Sequence, residues 1–184
     1  MPDMIIRMII ACVLTWASCL TAALALADGE VYRAPDGFLA DAFGGRPPVA
    51  QALWVEPALR EELVERFGWR PGLRVRFWQQ AGRTAWILDE IGKEKPITAG
   101  FVVADHAIER AEVLVFRESR GWEIRHEFFT RQFAAATLTG SGDLDRRIDG
   151  ITGATLSVRA MERMARVALK LHEQSQRTTL ALAP

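Results

Sequence analysis

The sequence predicts an α+β fold, and three observations carry the prediction. Strand-like patterns follow one another between residues 73 and 116, with helical patterns before and after them. Elements segregated in this way argue against a doubly wound parallel sheet. From Leu156 onward, Ala160, Met161, Met164, Ala165, Ala168, Leu171 and His172 recur at steps of three and four, as one face of a long helix requires. The chain has 184 residues, and without its apolar N-terminal segment it suits one domain with a real core and not two.

Residues 1–27 read as a signal peptide. Arg7 supplies a short positive region, Met8 to Leu26 is almost wholly apolar, and Ala25-Leu26-Ala27 is a small-x-small cleavage site before Asp28-Gly29. Cleavage after Ala27 and a periplasmic mature protein are expected. The alternative is an uncleaved membrane anchor, since the apolar run is almost long enough to span. A lipoprotein reading on Cys19 fits poorly: Trp16 stands where leucine is wanted, and apolar sequence continues beyond the cysteine.

Residues 28–96 are read as an N-terminal lead segment and the first strands. A short helix is expected near Gly37–Phe43, ended by Gly44-Gly45. A second helix runs from Pro57 to Phe67, with proline at its start and Gly68 at its stop. Arg70-Pro71-Gly72 is a turn. Leu73–Phe77 alternates apolar and charged residues as a half-buried strand does, and Thr84–Leu88 is the next strand after Gly82. Residues 97–173 form the principal module. Ile97–Val103 and Ile108–Phe116 make a hairpin through Asp105-His106-Ala107, the second arm setting Ala111, Val113 and Val115 on one face and Glu112, Leu114 and Phe116 on the other. Trp122–Ala134 reads as one short helix, followed by a loop to Asp149 and the final helix to about Glu173. Residues 174–184 are expected to be a disordered tail.

Composition narrows the chemistry. Both cysteines, Cys12 and Cys19, lie in the leader, so the mature chain holds no disulfide, thiolate metal site, iron–sulfur cluster or c-type haem. His106, His126 and His172 lack metal-ligand spacing, and His172 falls on the buried helical face, so no metal is expected. The formal charge is zero and there is no basic run, which argues against nucleic acid. Five of the six tryptophans follow the leader, as core residues or as a stacking surface for a planar ligand. Gly140–Asp145 lacks the third glycine of a dinucleotide fingerprint, and Asp143, Asp145 and Asp149 miss the calcium-loop spacing. That stretch is a loop delivering Asp149.

The chemically distinctive stretch is Asp149-Gly150-Ile151-Thr152-Gly153-Ala154-Thr155-Leu156-Ser157. Asp-Gly favours a tight turn, Gly153 and Ala154 remove bulk, and Thr155 sits at or just before a helix N-terminus. Free N–H groups and the positive end of the dipole suit a phosphate there. A carboxylate, a hydroxyl and such a helix end are compatible with a phosphoester on threonine. They are also compatible with an Asp-Gly turn and a threonine cap.

This stretch resembles the flavinylation motif of the FMN-binding domain family, in which Asp, Gly, any residue, Ser or Thr, Gly, Ala and Thr stand in order. Asp149, Gly150, Thr152, Gly153, Ala154 and Thr155 fill every fixed position, and Ser157 fits a trailing hydroxyl. The family includes the C subunit of the sodium-pumping NADH:quinone oxidoreductase and the G subunit of the Rnf complex. The resemblance implies a twisted antiparallel sheet with packed helices. It also implies FMN carried covalently on Thr155, transferred from FAD by a Mg-dependent flavin transferase, with Asp149 serving transferase recognition or metal-assisted attachment rather than electron transfer. Glu118-Ser119-Arg120-Gly121-Trp122 matches a family loop that commonly reads Glu-Thr-Pro-Gly and an apolar residue. Glu118 and Gly121 agree with it, while Ser119, Arg120 and Trp122 depart. Ser119 is a candidate hydrogen-bond partner and Trp122 a candidate stacking partner for the flavin; the alternative is a strand-to-helix turn with Trp122 in the core. Lys93 and Lys95 are candidate partners for the flavin phosphate or the reduced ring, where a cation raises the reduction potential.

Three functions remain open on the sequence. An electron carrier or relay would exchange electrons with membrane or periplasmic redox proteins. An exported flavin-dependent reductase of a small molecule would need an acid–base set that the sequence does not display. A flavin-free binding or assembly factor would use Thr155 only as a cap.

Overall fold

Residues 29–181 are described by a computed structural model; the expected leader lies outside them. In order they form β1 (Glu30–Val31), α1 (Pro35–Ala42), β2 (Gln51–Trp54), α2 (Pro57–Glu65), β3 (Arg74–Gln80), β4 (Arg83–Ile91), β5 (Pro96–Ala104), β6 (Ala107–Phe116), α3 (Glu127–Thr130) and α4 (Thr155–Ala181). The strands make one six-stranded sheet in the order β1-β6-β5-β4-β3-β2, and β2 through β6 pair antiparallel. The fold is α+β. The sheet runs without a break across the boundary at residue 96, so the first strands and the later module share one layer.

The hairpin between β5 and β6 turns on Asp105 and His106, whose φ values of 50° and 61° give the twist that two-residue hairpin turns favour. Two register shifts follow, between Thr98 and Ala99 and between Val102 and Val103. A bulge adds one residue to one strand and so exchanges its faces. Ile108, Ala111, Val113 and Phe116 consequently share one face, while Leu114 and Val115 lie on the other. The simple alternation expected over 111–116 is corrected at Val115 and Phe116.

Both faces of the sheet are covered. On one, Phe38, Leu39 and Ala42 of α1 pack on Ala85, Val102, Leu114 and Val115. A Cβ on Gly100 would stand 2.6 Å from the ring of Phe38, so the absence of a side chain in central strand β5 lets α1 approach. On the other face, Val158, Met161, Met164, Ala165, Ala168 and Leu171 of α4 pack on Trp86, Leu88, Phe101 and Val103, with Leu59, Leu63 and Phe67 in the same core.

One strand was not foreseen and two expectations need correction. Gln51–Trp54 is a strand, although only Leu53 in it is buried; one inward side chain leaves no readable period. Trp122–Ala134 is not one helix but two short 3-10 turns, Trp122–Arg125 and Arg131–Phe133, around α3. His126, extended at φ −73° and ψ 147°, breaks it. Finally, α4 continues over Gln174–Ala181, where a disordered tail was expected. Ser175 is buried there, and Gln176 donates to the Gly82 carbonyl at 3.2 Å, so tertiary partners hold this polar stretch.

His172 lies in the core at 2 % exposure. Trp86 Nε1 donates to Thr84 Oγ1 at 2.8 Å, and Thr84 Oγ1 lies 2.8 Å from His172 Nδ1. Thr84 Oγ1 accepts from Trp86 and shares a second hydrogen bond with Nδ1, whose direction follows the tautomer of the imidazole. Burial first, and the charge of His106 second, lower the His172 pKa from 6.5 to about 4, against a smaller raising effect of Asp105. A group whose folded pKa lies below its unfolded value destabilises the fold as pH falls between the two. Wild-type stability is therefore expected to fall between pH 6.5 and pH 4 by up to about 3 kcal/mol more than that of His172→Gln. Urea unfolding across that range checks it; parallel pH profiles for the two proteins would show that folding does not lower the His172 pKa.

Candidate functional site

The site begins at the end of β6, where the chain leaves the sheet and passes the start of α4. Gly121 has a φ of 88°, and a Cβ there would lie 2.7 Å from Ser157 Oγ and 3.3 Å from the Ala154 methyl. Backbone conformation and close approach thus both require glycine. Two stretches about thirty-five residues apart are thereby brought together: the loop Glu118–Gly121 and the helix start Gly153–Ser157.

Between them lies an open cleft of about 550 Å³, within the range of small-molecule sites. One wall is Glu118, Ser119 and Arg120 with Lys93, and the other is Gly153, Ala154, Thr155, Leu156 and Ser157. Thr155 is the first residue of α4 and is exposed, so it is a helical residue and not the cap. The Ala154 N–H donates to the Ile151 carbonyl at 3.0 Å, and the Ala154 carbonyl accepts from Val158 at 2.9 Å. A helix start leaves the N–H groups of its first turn without intrahelical acceptors, and here that turn is the cleft wall. Gly153, at φ 85°, has open space where a Cβ would stand.

Glu118 faces away from a ligand role. Its Oε1 accepts from three successive backbone N–H groups, those of Lys93, Glu94 (2.6 Å) and Lys95 (2.8 Å). Burial raises its pKa, but these three donors and the charge of Lys93 outweigh burial and leave the carboxyl below its ordinary value. Gly92 makes room, since a Cβ there would lie 3.0 Å from the same oxygen. The carboxylate therefore fills a nest of N–H groups and ties the β4–β5 loop to the end of β6.

The sequence-derived residues divide into two groups. Thr155, Gly153, Ala154, Ser157, Glu118 and Ser119 line the cleft, and Gly121 shapes it. Asp149, Gly150 and Thr152 are exposed and outside its lining; the Asp149 N–H donates to Gln132 Oε1 at 2.7 Å. Trp122 is also outside the lining. It is 43 % exposed, neither a core residue nor a wall, and meets the Arg125 guanidinium at 4.9 Å and the His126 ring at 5.5 Å. Of the two lysines, Lys93 lines the cleft and Lys95 does not.

Two cleft residues escaped the sequence reading. Arg120 was noted only as a departure from proline, although a cation beside a phosphate-compatible helix end is itself a signal. Leu156 was placed on the buried face of α4 but is 44 % exposed at the cleft; the neighbouring Ser157 takes the buried position. The Gly140–Asp145 loop is held by arginines: Arg66 donates to the Gly140 and Ser141 carbonyls and Arg166 to that of Gly142.

Two cations, a first helical turn, an exposed hydroxyl and an exposed leucine suit a phosphate joined to a flat, largely apolar ring system. Gly121→Ala is expected to destabilise by roughly 2 kcal/mol, from left-handed strain plus the clash on Ser157. Gly153→Ala, with the same strain and free space, should cost about 1 kcal/mol. Urea unfolding of the two variants compares them; equal losses would remove the close approach as the constraint.

No curated protein and no solved structure matches the chain. Residues 92–170 match the family model described as FMN-binding domain, a span that includes every residue lining the cleft. The chain thus carries a domain of the FMN-binding family and is a flavin-binding protein.

Proposed function

We propose that the protein is an exported electron-transfer flavoprotein whose FMN is held covalently, through its phosphate, on Thr155. The observation that carries this reading is the Thr155 hydroxyl. It completes the Asp149–Thr155 pattern and is exposed on the first residue of α4, at the wall of a cleft with two cations. Attachment from FAD forms a bond between Thr155 Oγ1 and the FMN phosphorus, breaks the pyrophosphate linkage and releases AMP. The hydroxyl proton passes to a base of the flavin transferase, which works with Mg. Asp149, exposed and outside the cleft, is suited to recognition by that transferase.

Once bound, the flavin supplies one- or two-electron exchange. The chain's own residues hold and orient it: Thr155 tethers the phosphate, the first turn of α4 faces it, and Leu156 offers apolar contact. A tether through phosphate leaves the ring chemically unaltered and keeps FMN from diffusing away outside the cytoplasm. That arrangement favours a resident redox centre visited by membrane or periplasmic partners over turnover of a small substrate.

Protein exported in cells with its transferase is expected to gain the mass of FMN less one water, mapped to Thr155. Thr155→Ala should lose the adduct and keep its circular dichroism spectrum, because an exposed first-turn threonine costs about 1 kcal/mol at most. An adduct mapped to Ser157, or none on the wild type, overturns the tether.

Asp149→Ala should cut flavinylation at least tenfold while unfolding at nearly the same urea concentration. In-gel flavin fluorescence measures the first quantity. Normal flavinylation would take Asp149 out of the recognition surface. Purified holo-protein should cycle with redox dyes, whereas saturable turnover of one small metabolite would establish the reductase reading instead.

A further inference from the structure

We propose that Glu118 is a positioning residue which locks two cation-bearing loops together, so that Lys93 and Arg120 face the flavin cleft and favour the reduced cofactor. The inference rests on the flavin reading above and concerns what this chain's own side chains do to it. Its geometry is independent of any ligand. One carboxylate oxygen takes the N–H groups of Lys93, Glu94 and Lys95. Arg120 follows two residues later, on the same wall of the cleft as Lys93.

The charges of the cleft differ in what they are free to do. The Glu118 carboxylate is engaged by three donors of the loop that it holds. Lys93 Nζ has Glu94 at 3.1 Å, with both side chains about 70 % exposed, where solvent screens the pair. Arg120 has no ion pair among the described residues. The cleft wall thus carries two cations, Lys93 and Arg120, beside a carboxylate whose Oε1 is taken up by backbone donors. Reduction of the flavin ring takes two electrons from an external donor and one proton from solvent, and leaves one more negative charge on the ring. A fixed cation stabilises that product relative to the oxidised ring.

The sign of the effect separates positioning from direct action. If the Glu118 charge acted on the flavin itself, its removal would favour reduction. If Glu118 acts by holding Lys93 and Arg120, Glu118→Ala disfavours reduction in spite of losing a negative charge. Glu118→Gln keeps an acceptor oxygen for the loop and should not share that loss.

The experiment is a dye-equilibrated potential measurement on flavinylated wild type, Lys93→Gln, Arg120→Gln, Glu118→Ala and Glu118→Gln. Each cation variant and Glu118→Ala should lower the reduced-to-oxidised ratio at a fixed dye poise, by roughly threefold to tenfold. Glu118→Gln should hold or raise it. In the Glu118→Ala background, Lys93→Gln should add less than it does alone, because coupled residues are non-additive. A raised ratio in Glu118→Ala, or unchanged ratios in both cation variants, overturns the inference while leaving the tether intact. A wild type without the flavin mass overturns the tether itself, and the potential-setting role with it. Amide exchange on flavin-free protein tests the lock alone: Lys93, Glu94 and Lys95 should exchange at least tenfold faster in Glu118→Ala and near the wild-type rate in Glu118→Gln. Unchanged protection in Glu118→Ala overturns the lock.

Discussion

The cleft depends on one close approach, that of Gly121 to Ser157 at the start of α4. Without a side chain at 121 the end of β6 passes the first helical turn at contact distance. The wall that begins at Glu118 then stands opposite Thr155. Any Cβ at 121 separates the two walls or displaces the helix start, because the nearest atom in its path is a hydroxyl on a buried side chain. The rest of the molecule maintains this approach. Residues of α4 are anchored along the sheet from Val158 to Leu171, so the helix start cannot shift independently of the core.

The second constraint is the use of polar groups to fasten distant elements. Glu118 spends its charge on backbone N–H groups and so makes a loop into part of the sheet end. Thr84, Trp86 and His172 form a hydrogen-bonded chain that fastens α4 to β4 inside an otherwise apolar layer. Buried polar groups such as Thr84 and His172 are tolerated when each has its partner, and the half-buried Glu118 likewise finds its donors on a distant loop. These side chains serve the fold first, and they serve the site only through what they hold in place.

In the proposed function, two tasks lie within seven residues of sequence. Thr155 opens on the cleft, whereas Asp149, Gly150 and Thr152 face solvent outside it. A residue needed while a cofactor is being attached must be reachable by another protein. A residue that works with the finished cofactor must face it. The turn at Ile151–Ala154 divides the stretch between these requirements.

The sequence by itself determined the period-two and period-3.6 segments, their segregation, and the stop signals of the first two helices. Pro57 opens α2, and the glycines at 44, 45 and 68 follow the ends of α1 and α2 with positive φ. These are local effects of side-chain spacing and backbone freedom, and they act whatever the chain packs against. It also determined Thr155 as the residue of interest, because a contiguous pattern carries its own chemistry. Tertiary structure alone decided the rest. The strand Gln51–Trp54 exists because β3 pairs with it and not because its own residues alternate. The faces of Val115 and Phe116 follow from bulges set against β5. The polar helix end beyond Glu173 is held by contacts with distant residues such as Gly82. Arg120 and Leu156 became cleft residues, and Glu118 a clamp, only when segments far apart in sequence met. Such meetings are fixed by long-range packing, which leaves no period in the local sequence to read.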